Sequence, residues 1–330
     1  MNRARLLLIA CAAAVMTACG GGSSQPGTKT IAVIPKGTSH VFWQSIHAGA
    51  EKAAQELGVT VIWRGPLRED ERSAQIAEVE GFIARKVDGI VLAPLDDTAL
   101  ATPVADAKRA GIPVVIIDSA LKGSDFVSFV ATDNTKGGQL AGEGMASLLP
   151  NGGKIVMLRY AEGSASTNER EAGFLQAVGA HANLQVVSDN QYGGADVEGA
   201  YKKSEVLLSR FKRPDGSLDL AGIFCPNEST TLAMLRVLED NGWAGKVKFV
   251  GFDASDTLVK GLSDGHIDAL VLQDPVKMGY LGVKTIVAHI GGQPVDARID
   301  TGVQLVTKAR MNEPAVAELL KPDLSKWLKP

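Results

Sequence analysis

The apolar run Ile112–Ile117, ending abruptly in Asp118, constrains this chain more than any other stretch. An uninterrupted run of that length reads as a strand buried on both faces of a parallel sheet. Open sheets of that kind bind ligands outside the carboxyl ends of their strands, so Asp118 stands where a ligand would be met. A second strand-like run, Phe126–Thr132, follows within a few residues. It leads through Asp133-Asn134 into a Gly-rich helix, Gly137–Leu149. No long helix separates the two strands, so the alternation of strand and helix breaks here. The break predicts that the chain leaves one lobe and enters another, with Asp118 facing the cleft between them.

The chain before the break reads as strands Thr30–Ile34, Val59–Trp63, Gly89–Ala93 and Ile112–Ile117, separated by helices Val41–Leu57, about Glu69–Lys86 and Ala99–Ala110. In the first helix Trp43, Ile46, Ala50, Ala53 and Leu57 share one face, and Gly58 ends it. After the break the rhythm starts again. Strands are expected at Lys154–Leu158, Leu184–Val187, Leu220–Phe224, Val247–Phe252 and Ala269–Leu272, with helices at Thr167–Ala180, Asp196–Phe211, Thr230–Asn241 and near Leu258–Leu262. The fold class is therefore α/β, with two doubly wound parallel-sheet lobes. The helix Val276–Ile290 and a strand near Thr301–Val306 are assigned to the first lobe before a final crossing. The lobes are then 29–132 plus 274–302 and 133–273 plus 303–330. Asn312–Pro330 is expected to pack loosely on the surface. Hinge segments are expected near Thr132–Asn134, Asp253–Ser255 and Gln273–Pro275.

Residues 1–19 form a targeting segment. Arg3 and Arg5 supply its positive end, and the apolar core Leu6–Met16 is too short for a permanent membrane span. Met16-Thr17-Ala18-Cys19, followed by Gly20-Gly21-Gly22-Ser23-Ser24, resembles a bacterial lipoprotein signal. That implies cleavage before Cys19, lipidation of Cys19, and residues 20–28 as a flexible tether to the membrane. Leu8-Ile9-Ala10-Cys11 fits the same pattern but leaves almost no apolar core before it. About 300 residues remain, enough for two lobes with substantial cores. Their single cysteine, Cys225, lies in an apolar run and reads as an inert core thiol. A formal net charge of -3 and a pI near 6 argue against a general nucleic-acid role.

The strand carboxyl ends carry Pro35-Lys36, Trp63-Arg64, Pro94-Leu95-Asp96, Asp118, Arg159-Tyr160, Tyr192, Pro226-Asn227-Glu228, Asp253 and Gln273-Asp274. This is a set of aromatics, amides, carboxylates and guanidinium groups without a concentrated reactive cluster. Sugars call for that inventory, because each hydroxyl donates and accepts and adjacent hydroxyls can be gripped by two-toothed groups. Phe42 and Trp43 are candidates for the surface under a sugar ring. Trp43 also falls on the buried stripe of its helix and Asp253 could cap a helix near Ser255. The histidines lack metal-ligand spacing. Gly137-Gly138 and Gly142 form no GxGxxG loop in the right context.

Over nearly all of Lys29–Thr307 the chain resembles type I periplasmic binding proteins of the ribose-binding and related sugar-binding family. The resemblance is carried by His40-Val41-Phe42-Trp43, Val114–Asp118, Ala131-Thr132-Asp133-Asn134, Asn168–Phe174, Cys225-Pro226-Asn227, Val250–Asp253 and Leu272-Gln273. It implies that Phe42 and Trp43 contact the ring and that Asp118 binds hydroxyls from the first lobe. Arg170, Asn227, Asp253 and Gln273 would bind them from the second lobe or hinge. Three departures bear on which sugar is taken: His40 replaces an Asn, Ala93 another Asn, and Ser119 an Arg. Ile34-Pro35-Lys36 and Arg64-Gly65-Pro66 look like the branch that binds the furanosyl autoinducer or rhamnose, which makes Lys36 and His40 further site candidates. The resemblance implies a monomer that passes a sugar to an ABC permease and its ATPase from the cell envelope, without cofactor, metal or catalysis. A sensor of a sugar-like signal is the alternative. A lac-repressor-type regulator shares the fold but needs a DNA-binding segment where the export signal stands. An enzyme would need a nucleophile–base set.

Overall fold

A computed structural model describes residues 27–328; Cys11, Cys19 and the rest of the targeting segment lie outside the described residues. The chain opens with β1 (Thr30–Ile34), α1 (Val41–Leu57), β2 (Thr60–Trp63), α2 (Arg72–Ala84), β3 (Gly89–Leu92), α3 (Ala101–Arg109), β4 (Val114–Ile117) and β5 (Ser128–Ala131). It continues with α4 (Asn134–Leu148), β6 (Gly153–Arg159), α5 (Ala165–Gly179), β7 (Leu184–Tyr192), α6 (Val197–Ser209), β8 (Gly222–Phe224), α7 (Glu228–Asp240), β9 (Lys248–Phe252), α8 (Asp256–Asp264) and β10 (Ala269–Gln273). Last come α9 (Pro275–Ile290), β11 (Arg298–Asp300), β12 (Val303–Thr307) and α10 (Pro314–Leu320).

Two sheets of six strands result, ordered β2-β1-β3-β4-β5-β11 and β7-β6-β8-β9-β10-β12. The two orders match strand for strand. In each, the chain reverses its winding beside the first strand, and the carboxyl ends there form a ligand-binding crevice. Side chains alternate across the first sheet as a pleat requires: Ile31 and Val33 enter the core under α1 and α9, while Ala32 and Ile34 enter the one under α2 and α3. The second lobe repeats the plan, with one core between its sheet and α4–α5 and another under α6–α8.

Three expectations need correction. The strand expected in the first lobe near Thr301–Val306 is β12, which pairs antiparallel with β10 in the second sheet; the first sheet gains β11 instead, parallel to β5. Asp253–Ser255 links β9 to α8 within the second lobe. The crossings are Thr132–Asp133, Asp274 and Thr301–Gly302. The end of the chain is not loose throughout: Val316 and Leu320 of α10 enter the second lobe's core. Trp327 then returns toward the first lobe, with Lys52 of α1 5.8 Å from its ring centre.

Candidate functional site

The carboxyl ends of both sheets face one cavity, lined by residues of both lobes and holding about 330 Å³ of space between atoms. Only about 30 Å³ of that is open to the centre of a water-sized sphere, well short of the roughly 300–1,000 Å³ of small-ligand pockets, so the two lobes stand close upon each other here. Larger grooves lie at the amino ends of the first sheet and between α9 and the C-terminal segment. Of the strand-end polar groups, only Asp274 reaches either of them.

From the first lobe, Lys36 follows β1, and the loop that carries it is held by Gln75 of α2. The Gln75 amide donates to the carbonyls of Pro35 and Ala93 and accepts from the N–H of Leu95. Asp118 follows β4 with φ at 62°, in the left-handed region that costs most side chains but is tolerated by Asp. Its Oδ2 lies 2.9 Å from Nζ of Lys36, and its Oδ1 lies 4.0 Å from Nη2 of Arg170. His40 caps α1 through its backbone, and Phe42 and Trp43 stand edge to face with ring centres 4.9 Å apart. Trp43 is both core and site: it packs with Ile46 and Met278, and it lines the cavity.

From the second lobe, Arg170 lies on α5 over the ring of Phe252, 4.1 Å from its centre. Its Nε donates to Asn134 and its Nη1 to the carbonyl of Pro226. Asp253 follows β9 with φ at 70°. It is not the cap of α8, since Ser255 fills that role. Instead its Oδ1 accepts from the Gln273 amide at 2.7 Å and its Oδ2 from the N–H of Glu228 at 3.1 Å. Asn227 lines the cavity but is committed as the cap of α7: its Oδ1 accepts from the N–H and hydroxyl of Thr230. All nine candidate residues line the cavity.

Arg170 is placed by a close helix crossing. A Cβ on Gly138 of α4 would stand 1.9 Å from the carbonyl oxygen of Arg170, and one on Gly173 of α5 2.2 Å from that of Thr135. The glycines that form no phosphate loop let α5 press on α4.

Sequence reasoning missed Glu69, Tyr160, Ser164, Ser166, Thr167 and Glu228, which line the same cavity. Tyr160 and Glu228 do stand at strand ends, a signal available in the sequence. Glu69 was expected to open a helix, but α2 begins at Arg72 and leaves Glu69 buried in the preceding loop. Its two oxygens accept from Trp43 Nε1, His40 Nδ1 and the Tyr160 hydroxyl. Burial works against charge on both members of the Glu69–His40 pair. Their mutual hydrogen bond and attraction prevail, holding Glu69 below the usual carboxylate range and His40 above the usual imidazole value. Burial raises the carboxyl of Asp253, and it pushes that of Glu228 up to about 7.

Among the described residues two buried side-chain atoms have no hydrogen-bond partner, Nη2 of Arg170 and Oε1 of Gln273. An unpartnered buried polar atom is costly, and native interiors seldom keep one without a use. One is a donor and the other an acceptor, and both belong to the cavity wall. A hydroxyl group has an acceptor to offer the first and a donor to offer the second.

A family model described as a periplasmic binding protein domain matches residues 31–294. A D-ribose/D-allose-binding protein of Pseudomonas aeruginosa is 31% identical over 315 residues, covering 90% of this chain and 96% of that protein. Among solved structures, a carbohydrate transporter solute binding protein from Agrobacterium radiobacter in complex with D-arabinose superposes with a TM-score of 0.85 at 34% identity, over 90% of this chain and all of that one. An ABC transporter solute binding protein from Agrobacterium vitis with bound D-fucose gives 0.84 at 35% identity, over 88% of this chain and all of that one.

Proposed function

This chain belongs to the periplasmic binding protein domain family, and on that premise we propose that it captures a neutral monosaccharide between its lobes and delivers it to an ABC importer. The observation that carries the reading is the pair of unpartnered atoms on Arg170 and Gln273, one donor and one acceptor, in a cavity walled by both lobes. Charge narrows the ligand class. Lys36, His40 and Arg170 are balanced by Glu69, Asp118, Glu228 and Asp253, so the site has no surplus of positive charge for a sugar acid. Phe42 offers an apolar face to the C–H side of a ring. Binding without chemistry is the function, and the chain acts outside the cytoplasm, as the family does.

The same proposal includes the architecture of closure. The lobes are 29–132 with 274–302 and 133–273 with 303–330, and they swing about the three crossings at Thr132–Asp133, Asp274 and Thr301–Gly302. The protein works as a monomer held to the membrane by a lipid on Cys19.

Calorimetric titration with D-ribose, D-arabinose, D-allose, D-fucose and D-glucuronate tests the ligand class, with the furanosyl autoinducer as the arm that would favour a sensor. Charge-assisted contacts to a hydroxyl contribute roughly 1.5–3 kcal/mol each. Asp118→Ala and Arg170→Ala should therefore each weaken the preferred sugar by roughly tenfold to a few hundredfold. If both variants bind like the parent, or if D-glucuronate binds best, the assignment is wrong.

A further inference from the structure

Several contacts join the lobes around the cavity. The N–H of Phe42 donates to Glu228, Lys36 donates to Ser164 and Ser166, and the N–H of Asp97 donates to the carbonyl of Gly163. The contact between Glu69 and Tyr160 differs from these. Glu69 stands on the loop between β2 and α2 and is only 7% exposed. Its Oε1 accepts from Nε1 of Trp43 at 2.8 Å and faces Nδ1 of His40 at 2.8 Å, both in its own lobe. Its Oε2 accepts from the hydroxyl of Tyr160, at the end of β6 in the other lobe, at 2.7 Å. Both oxygens therefore have protein donors. Lys36, by contrast, also pairs with Asp118 in the ligand site.

We propose that Glu69 is the latch of the closed cleft: it positions Trp43 and His40 from within the first lobe, and the Tyr160 hydroxyl of the second lobe docks on it when the lobes close. The inference rests on the two-lobed sugar-binding reading and adds a residue whose part is closure rather than ligand contact. A buried carboxylate is tolerated only where donors replace its water. Opening removes the Tyr160 donor and lets water take its place, so the latch favours the closed form by the difference between those two hydrogen bonds. That difference does not depend on the sugar. Tyr160 acts as the donor because its phenol, buried and facing Glu69, is held in the protonated form far above its ordinary titration range.

The test is Tyr160→Phe, which removes one oxygen and keeps the ring. Dissociation of D-ribose, D-arabinose and D-allose is followed by stopped-flow tryptophan fluorescence, and affinities by calorimetry. The latch predicts dissociation faster by roughly tenfold or more, the range of a hydrogen bond to a charged group. Affinities for all three sugars should fall by one common factor, leaving their ranking unchanged. Glu69→Gln should lose a similar factor, and adding Tyr160→Phe to it should cost little more. A changed ranking would make Tyr160 a ligand contact and overturn the proposal, as would fully additive losses or unchanged dissociation. Small-angle scattering on the sugar-free chain supplies an independent arm, with a larger radius of gyration expected for Tyr160→Phe. Should none of the three sugars bind the parent, the sugar-binding reading fails while the latch is still decided: an equal radius for parent and variant then overturns it.

Discussion

Sugar affinity should rise as pH falls from 8 to 5, and Glu228 is the main reason. This residue opens α7 in the second lobe, is 6% exposed, and accepts the N–H of Phe42 from the first lobe at 3.1 Å. Burial moves its carboxyl from 4.5 to about 7, against the pull of His40 and of the Phe42 N–H. The amino end of α7 favours the anion by only about 0.3–1 kcal/mol, so burial prevails. Parting the lobes returns Glu228 toward water and toward its ordinary value. A carboxyl whose value is raised in the closed form favours closure fully below its open-form value, and that contribution is lost as pH rises through about 7. Asp253, whose carboxyl burial also raises, acts in the same direction, whereas His40 is raised by Glu69 of its own lobe and keeps that partner on opening. Glu69, which is lowered, opposes them only below the ordinary carboxylate range. A tenfold change in a group's acidity corresponds to about 1.4 kcal/mol, so full recovery of Glu228 on opening would give roughly 3 kcal/mol. Partial burial in the open form reduces this, leaving roughly tenfold to a hundredfold tighter binding at pH 5 than at pH 8. Calorimetry with D-arabinose across that range, repeated in buffers of different ionisation enthalpy, measures both the affinity and the protons taken up. Glu228→Gln should flatten most of the dependence. Binding that is independent of pH, or tighter at pH 8, would refute the reasoning.

Two further outcomes are expected. Gly138→Ala places a Cβ against the carbonyl of Arg170; overpacking of this kind costs about 1–3 kcal/mol, so the variant should melt several degrees lower by calorimetry and bind its sugar more weakly because Arg170 moves with α5. Cys19→Ser should shift the protein from the membrane fraction to the soluble fraction on immunoblots, whereas Cys11→Ser should leave it on the membrane; retention of Cys19→Ser would refute the anchor.

The lobes were legible because their signals are local. Ile112–Ile117 is apolar throughout since β4 is covered by helices on both faces, and the missing helix after it marks the passage toward the second lobe. The short β11 and the antiparallel β12 were not legible. Arg298–Asp300 is three residues long with no apolar alternation, and the partner of Val303–Thr307 is set by where β10 ends, which no local pattern encodes. The strand-end rule found Asp118, Asp253 and Gln273 for the same reason that it works in any open sheet. It also exposed Tyr160 and Glu228 to view without giving them a role.

Those roles exist only between lobes. Tyr160 meets Glu69 from 91 positions away, and Glu228 meets the N–H of Phe42 from 186. No periodicity couples residues at such distances, and each alone is an ordinary polar residue near the end of an element. What separates them from the ligand contacts is which of their atoms already have partners. The oxygens of Glu69 face donors within the protein. Arg170 and Gln273 each keep one buried atom unpartnered. Groups of the first kind contribute to closure by the same amount whichever sugar is held. Groups of the second kind are complete only with a hydroxyl in the right place, so discrimination among sugars belongs to them. The proposed latch and the proposed ligand contacts thus assign affinity and selectivity to different residues of one cavity, which should respond separately to mutation.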